Sequence, residues 1–166
     1  MSNLKLRDDT LVVMIDPPYT TQSPEQITAR IHLTVPRSEI QRVMGPGLTE
    51  VKAAIAGQGI KATGPWFTRH LRIDPQLFDF EICVPVSKDV TPTGRVQPGR
   101  LDEMKVARTI YRGPYEGLRE GWKQFGEWID KQGYKAAEER WECYRKGPES
   151  SADPAEWETE LNRPVE

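Results

Sequence analysis

The chain has 166 residues, of which 37% are hydrophobic and 29% charged, with a formal net charge of −2. That length suits one domain with a sizeable buried core, and the near-neutral balance without a basic stripe leaves no electrostatic footprint for direct nucleic-acid binding. No apolar run reaches the length of a membrane span or a signal-peptide core, so the expectation is a cytoplasmic, turn-rich protein, in keeping with 14 prolines and 13 glycines.

Taken in chain order, Leu11–Ile15 predicts a short edge strand, stopped by Asp16-Pro-Pro. Ser23-Pro-Glu-Gln26 has the form of a helix capping box, but Ile27–Val35 alternates and is rich in β-branched residues, which predicts a strand instead. Apolar residues then recur at helical spacing at Ile40, Val43, Met44, Leu48, Val51 and Ile55. Gly45-Pro46-Gly47 is expected to break this stretch and leave a helix over 47–57, closed by Gly57 and Gly59. Strands follow at about 65–72 and 78–86. Residues 87–100 carry turn formers and no core pattern, and read as a connector. Beyond it come a strand at 104–111 and a helix at 115–131 with Leu118, Trp122, Phe125, Trp128 and Ile129 on one face. Strands at 139–145 and 156–163 complete the chain, on either side of a loop at 147–154.

The two parts repeat one another. A shift of 74 positions carries Met44 onto Leu118, Leu48 onto Trp122, Val51 onto Phe125, Ile55 onto Ile129, Gly59 onto Gly133, Phe67 onto Trp141 and Thr68 onto Glu142. After a short insertion Phe78–Val86 lies on Trp157–Val165. Two half-repeats, about 25–86 and 101–166, predict a single domain spanning 1–166 with an α+β fold. In it a strand–helix–strand–strand unit occurs twice in pseudo-twofold symmetry. The seam between such halves is a favoured place for a small-molecule pocket.

The ordered series Arg112-Gly-Pro-Tyr-Glu-Gly-Leu118, Trp122, Trp128, Gly133-Tyr134, Trp141-Glu-Cys-Tyr144 and Thr159-Glu-Leu-Asn-Arg-Pro-Val165 resembles the GyrI-like small-molecule-binding domain. This is also the effector-binding domain of AraC-type and multidrug-sensing transcription activators. The resemblance covers roughly residues 25–166. It implies antiparallel sheets around a central cleft that receives lipophilic, often cationic organic molecules, with an acidic residue at the position of Glu142 facing the ligand. It also implies a stand-alone form, since no DNA-binding segment is evident. Some stand-alone relatives hydrolyse cyclopropane-containing toxins, and others protect gyrase.

On the strand around residue 142, Glu142 and Tyr144 share one face while Trp141 and Cys143 share the other. Glu142 reads as the acidic anchor of an aromatic cleft, or else as a solvated carboxylate or a partner of Arg140 or Arg145. Tyr144 and Tyr111 offer flat phenol faces suited to cation–π contact. His70 aligns with Tyr144 and is expected on the opposite wall, beside the neutral Thr68. Trp122 reaches the cleft if its helix forms the bulkier wall. Phe67 and Trp141 are expected in the helix-covered core. Glu81 and Glu160 align, which the repeat explains without shared chemistry.

Cys83 and Cys143 suit small buried hydrophobes, His32 and His70 lack metal-site spacing, and no cofactor motif occurs. The leading expectation is capture of a lipophilic or cationic small molecule. The alternatives are a hydrolase with Glu142 as catalytic base or nucleophile, and a protein-interaction role.

Overall fold

A computed structural model describes residues 15–166. Its strands are β1 Tyr19–Ser23, β2 Gln26–Pro36, β3 Phe67–Ile73, β4 Leu77–Pro85, β5 Gln97–Leu101, β6 Met104–Arg112, β7 Arg140–Lys146 and β8 Glu158–Pro164. Two helices, α1 (Ile40–Gly57) and α2 (Leu118–Lys131), each follow a single 3₁₀ turn. All strands join one sheet, in the order β1-β6-β8-β7-β3-β4-β2-β5, and every pairing is antiparallel. The fold is therefore α+β, but with one continuous sheet where separate sheets around a cleft were expected. Among the described residues, no helix is long and apolar enough to cross a membrane.

The sheet has a helix-covered face and a face without helices. On the covered face, α1 places Val51, Ala54 and Ile55 on Ile31, Phe80, Ile82 and Val84. In the same way α2 places Phe125 and Ile129 on Tyr111, Leu161 and Val165. The other face holds a third cluster of Phe67, Cys83, Leu101, Val106 and Trp141, to which no helix contributes. Phe67 and Trp141 do point away from Glu142, but they do not lie under a helix. The alternation on β3 and β7 is sound, and the helices sit on Glu142's side of the sheet.

Two further expectations are corrected. Helix α1 begins at Ile40 and runs through Pro46 without a break. Pro46 forgoes one backbone hydrogen bond there, while Ile40, Val43, Met44 and Leu48 pack on the first cluster and hold the helix in place. The connector is not structureless. Val90 and Val96 are buried in the first cluster, and β5 pairs with β2. Gly99 leaves room there for Arg30, whose side chain would lie 2.5 Å from a Cβ at that position. Strand β1 pairs with β6 at the far edge. The expected strand Leu11–Ile15 lies outside the described residues except for Ile15, which bridges Tyr111.

Candidate functional site

The middle of the sheet is where β3 meets β7, with Thr68 paired directly to Glu142 and Phe67 to Cys143. Continuing outward, Glu142 pairs with Leu161 and Tyr144 with Thr159 on β8. Strand alternation then sets Thr68, Glu142, Tyr144, Thr159 and Leu161 together on the helix-covered face.

Both oxygens of Glu142 accept a hydrogen bond. Trp122 Nε1 on α2 donates to Oε2 at 2.6 Å, and the Tyr144 hydroxyl donates to Oε1 at 2.7 Å. Thr68 Oγ1 lies 2.7 Å from the same tyrosine oxygen. A phenol has one proton, so with that proton on Glu142 the threonine is the donor to Tyr144. The chain Thr68→Tyr144→Glu142←Trp122 is fully specified. Burial, with the Glu142 charge next, holds the Tyr144 hydroxyl well above the usual phenol range, so it remains a donor at neutral pH.

Among the described residues no basic side chain forms an ion pair with Glu142. Arg140, two residues away on the same strand face, lies instead over the Trp122 ring, 4.9 Å from its centroid. Burial first, and then the like charge of Arg163, lowers its guanidinium to about 10. His70 stacks on Phe80 with ring centroids 5.4 Å apart. Burial lowers its pKa below 6.5, with Glu142 pulling the other way and Arg140 and Arg37 adding to the fall.

Aromatic side chains close the site. Trp66 packs on Tyr144 at 4.3 Å between centroids, and Tyr115 lies 6.0 Å from Tyr144 and 4.9 Å from Trp157. Thr159 Oγ1 is the one buried side-chain oxygen without a hydrogen-bond partner among the described residues. Cavities of about 420 and 340 Å³ lie among the described residues, and Glu142 lines neither of these. The larger is bounded by Trp157, Arg112 and Lys146, and so touches the outer end of the aromatic row.

The structure brings Glu142, Tyr144, Trp122 and Thr68 into direct contact and sets His70 nearby. Tyr111 is not part of this group. It is 0% exposed, its hydroxyl donates to Pro114 O at 2.6 Å, and its ring packs so tightly on α2 that a Cβ at Gly121 would meet it at 2.9 Å. It has no surface to offer a ligand.

Trp66, Tyr115 and Trp157 are not singled out by the sequence because each lies at the margin of an element, just before β3, α2 and β8; the preceding Gly-Pro in two cases is the one available signal. Glu81 is engaged by Arg30 at 3.0 Å and Arg69 at 3.8 Å, and Glu160 by Arg108 at 3.6 Å, so these carboxylates serve the sheet. Both cysteines are free thiols on the face without helices.

Comparison with known proteins agrees with this architecture. EcmrR in its DNA complex superposes with a TM-score of 0.80 at 24% identity, over 98% of this chain, which spans 62% of that protein. The isolated EcmrR C-terminal domain gives 0.81 at 24% identity, covering 90% of this chain and 97% of the domain. A hydrolase from Listeria innocua gives 0.62 at 14% identity over 98% of both chains. SAV2435 bound to tetraphenylphosphonium gives 0.64 at 12% identity, over 91% of this chain and 94% of the other. No match was found among curated proteins. Residues 16–166 match the GyrI-like small molecule binding domain as a family, and the chain belongs to that family.

Proposed function

We propose that the protein captures lipophilic cations, with Glu142 as the anionic anchor and Trp122, Tyr144, Trp66 and Tyr115 as the surrounding aromatic surface. One observation carries this reading: Glu142 has two neutral aromatic donors and, among the described residues, no ion-pair partner. A half-buried carboxylate without a counter-ion gains from a ligand that brings one. An organic cation also gains from aromatic faces, and Arg140 already occupies one face of Trp122 in this manner. Because the Trp122 N–H already occupies Oε2, a ligand that takes that oxygen displaces it. SAV2435, which shares the fold, is known with tetraphenylphosphonium bound, and that cation is the natural first probe.

The same reading takes the chain as one domain of two half-repeats. Supporting it, the sequence shift that aligns Thr68 with Glu142 is matched by their direct pairing across β3 and β7. A twofold axis would pass between them. A shift of 78 carries β1, Tyr19–Ser23, onto β5, Gln97–Leu101, so each unit gains a leading arm. Because only the second copy supplies an acid at the axis, one cation binds per chain.

Tryptophan fluorescence during titration with tetraphenylphosphonium tests this. Saturable binding with an intact ligand by mass spectrometry, about tenfold weaker in Glu142→Gln (about 1.4 kcal/mol), supports capture. Equal binding by the variant removes Glu142 from the account. Consumption of a ligand by the wild type alone would move the protein to the hydrolases.

A further inference from the structure

The face without helices has chemistry of its own. At its centre a cavity of about 340 Å³ is lined by Phe67 and Trp141, Ser23 at the end of β1, and Arg108, Arg145, Cys143 and Glu160. This volume lies within the range of about 300–1,000 Å³ usual for small-molecule sites. Its floor is apolar. Phe67 and Trp141 belong to the third cluster, and burial pushes the Cys143 thiol up to about 12, which keeps it neutral.

The charges on its walls do not cancel. Glu160 is held by Arg108 at 3.6 Å and by Asn162 Nδ2 at 3.1 Å. Arg108 also donates to Asn162 Oδ1 at 2.6 Å. Arg145 is exposed and forms no hydrogen bond or ion pair among the described residues. It sits where the β7–β8 register slips between Tyr144 and Lys146, and such a bulge re-aims the side chain of its extra residue. The first half has a matching slip on β3 between His70 and Arg72, but the residue there is Leu71. On that side Arg30 and Arg69 are neutralised by Glu81 and Glu139. Among the described residues, Arg145 beside the cavity has no such carboxylate.

We infer that this cavity is a second ligand site, on the opposite face of the sheet from Glu142, for a small molecule with a flat apolar body and one carboxylate or sulfonate held by Arg145. Strand β7 itself separates the two sites, since Glu142 and Tyr144 project to one face and Trp141 and Cys143 to the other. The two faces would thus take ligands of opposite charge.

The test is calorimetric titration with 2-naphthoate, and with 2-naphthylmethanol as its uncharged counterpart. Saturable 2-naphthoate binding is expected, about tenfold weaker in Arg145→Ala and Arg145→Gln. It should be much weaker for the alcohol, unchanged in Glu142→Gln, and not displaced by excess tetraphenylphosphonium. Melting curves show whether each variant is folded, and two replacements guard against one that is not. The inference is overturned if 2-naphthoate fails to bind saturably or binds both Arg145 variants as tightly as wild type. It is equally overturned if Glu142→Gln or tetraphenylphosphonium abolishes binding, which would place the anion on the other face.

Discussion

Glu142 is satisfied by hydrogen bonds yet forms no ion pair among the described residues, and the distinction determines what its neighbours do. The Trp122 N–H is both a stabilising donor and the group a ligand must displace. Trp122→Phe should lower stability by about 1.5–2 kcal/mol, the lower part of the range for a bond to a charged group because the site is only half-buried. The same change should strengthen tetraphenylphosphonium binding. A thermal melt and a titration of one preparation check both, and weaker binding would make the indole a ligand wall instead of a plug.

His70 adds a pH dependence. Its folded pKa lies below 6.5 because of burial, so below that pH the unfolded chain binds the extra proton more readily. The stability from neutral His70 is present above about pH 6.5 and is lost as pH falls through the folded value. Melting of wild type should therefore fall more between pH 7.5 and 5 than that of His70→Gln. Parallel curves would show that the imidazole is not the cause.

The sequence could reveal Glu142, Tyr144, Thr68 and Trp122 because alternation and the internal alignment act on regular elements. It could not place Tyr115 or Trp157, whose positions depend on how turns fold over the sheet. Tyr111 pairs with Thr159 and so lies on the same face, but which part of that face α2 would cover is a matter of packing.

At the level of elements, the helices show what local rules can and cannot decide. Gly45-Pro46-Gly47 reads as a break, yet α1 continues through it because tertiary packing exceeds the local penalty. Gly47 is required there for closeness, not for a turn: a Cβ would lie 2.5 Å from Ile82 Cδ1. Gly47→Ala should therefore destabilise the protein by about 1–3 kcal/mol through overpacking, against the gain of about 1 kcal/mol that alanine brings to an exposed helix. A urea unfolding curve gives the sign, and a stabilised variant would mean that Ile82 yields at little cost. Strands β2, β3, β4, β6, β7 and β8 were legible from apolar and β-branched patterning. Strands β1 and β5 were not, since Tyr-Thr-Thr-Gln-Ser and Gln-Pro-Gly-Arg-Leu have little to bury and join the sheet by backbone pairing at its edges.

Across the whole molecule, the edge arms are exchanged. Strand β1 precedes the first helix but pairs with β6, and β5 precedes the second helix but pairs with β2. With β3 joined to β7 at the centre, neither half has a complete sheet of its own. Unfolding should be a single cooperative event. Four of the five tryptophans, Trp122, Trp128, Trp141 and Trp157, lie in the second half, whereas far-UV circular dichroism reports both halves. Coincident urea curves from the two probes are expected, and an earlier fluorescence transition would mean that the halves unfold separately.

The central claim concerns charge, so the most direct measurement separates charge from shape. Tetraphenylphosphonium and the uncharged triphenylphosphine oxide would each be titrated calorimetrically into wild type and Glu142→Gln. The account predicts one cation per chain, preference for the cation in wild type, and loss of most of that preference in the variant, with binding of the oxide nearly unchanged. A preference for the cation that survives in Glu142→Gln would contradict it, because the aromatic faces alone would then be selecting the ligand.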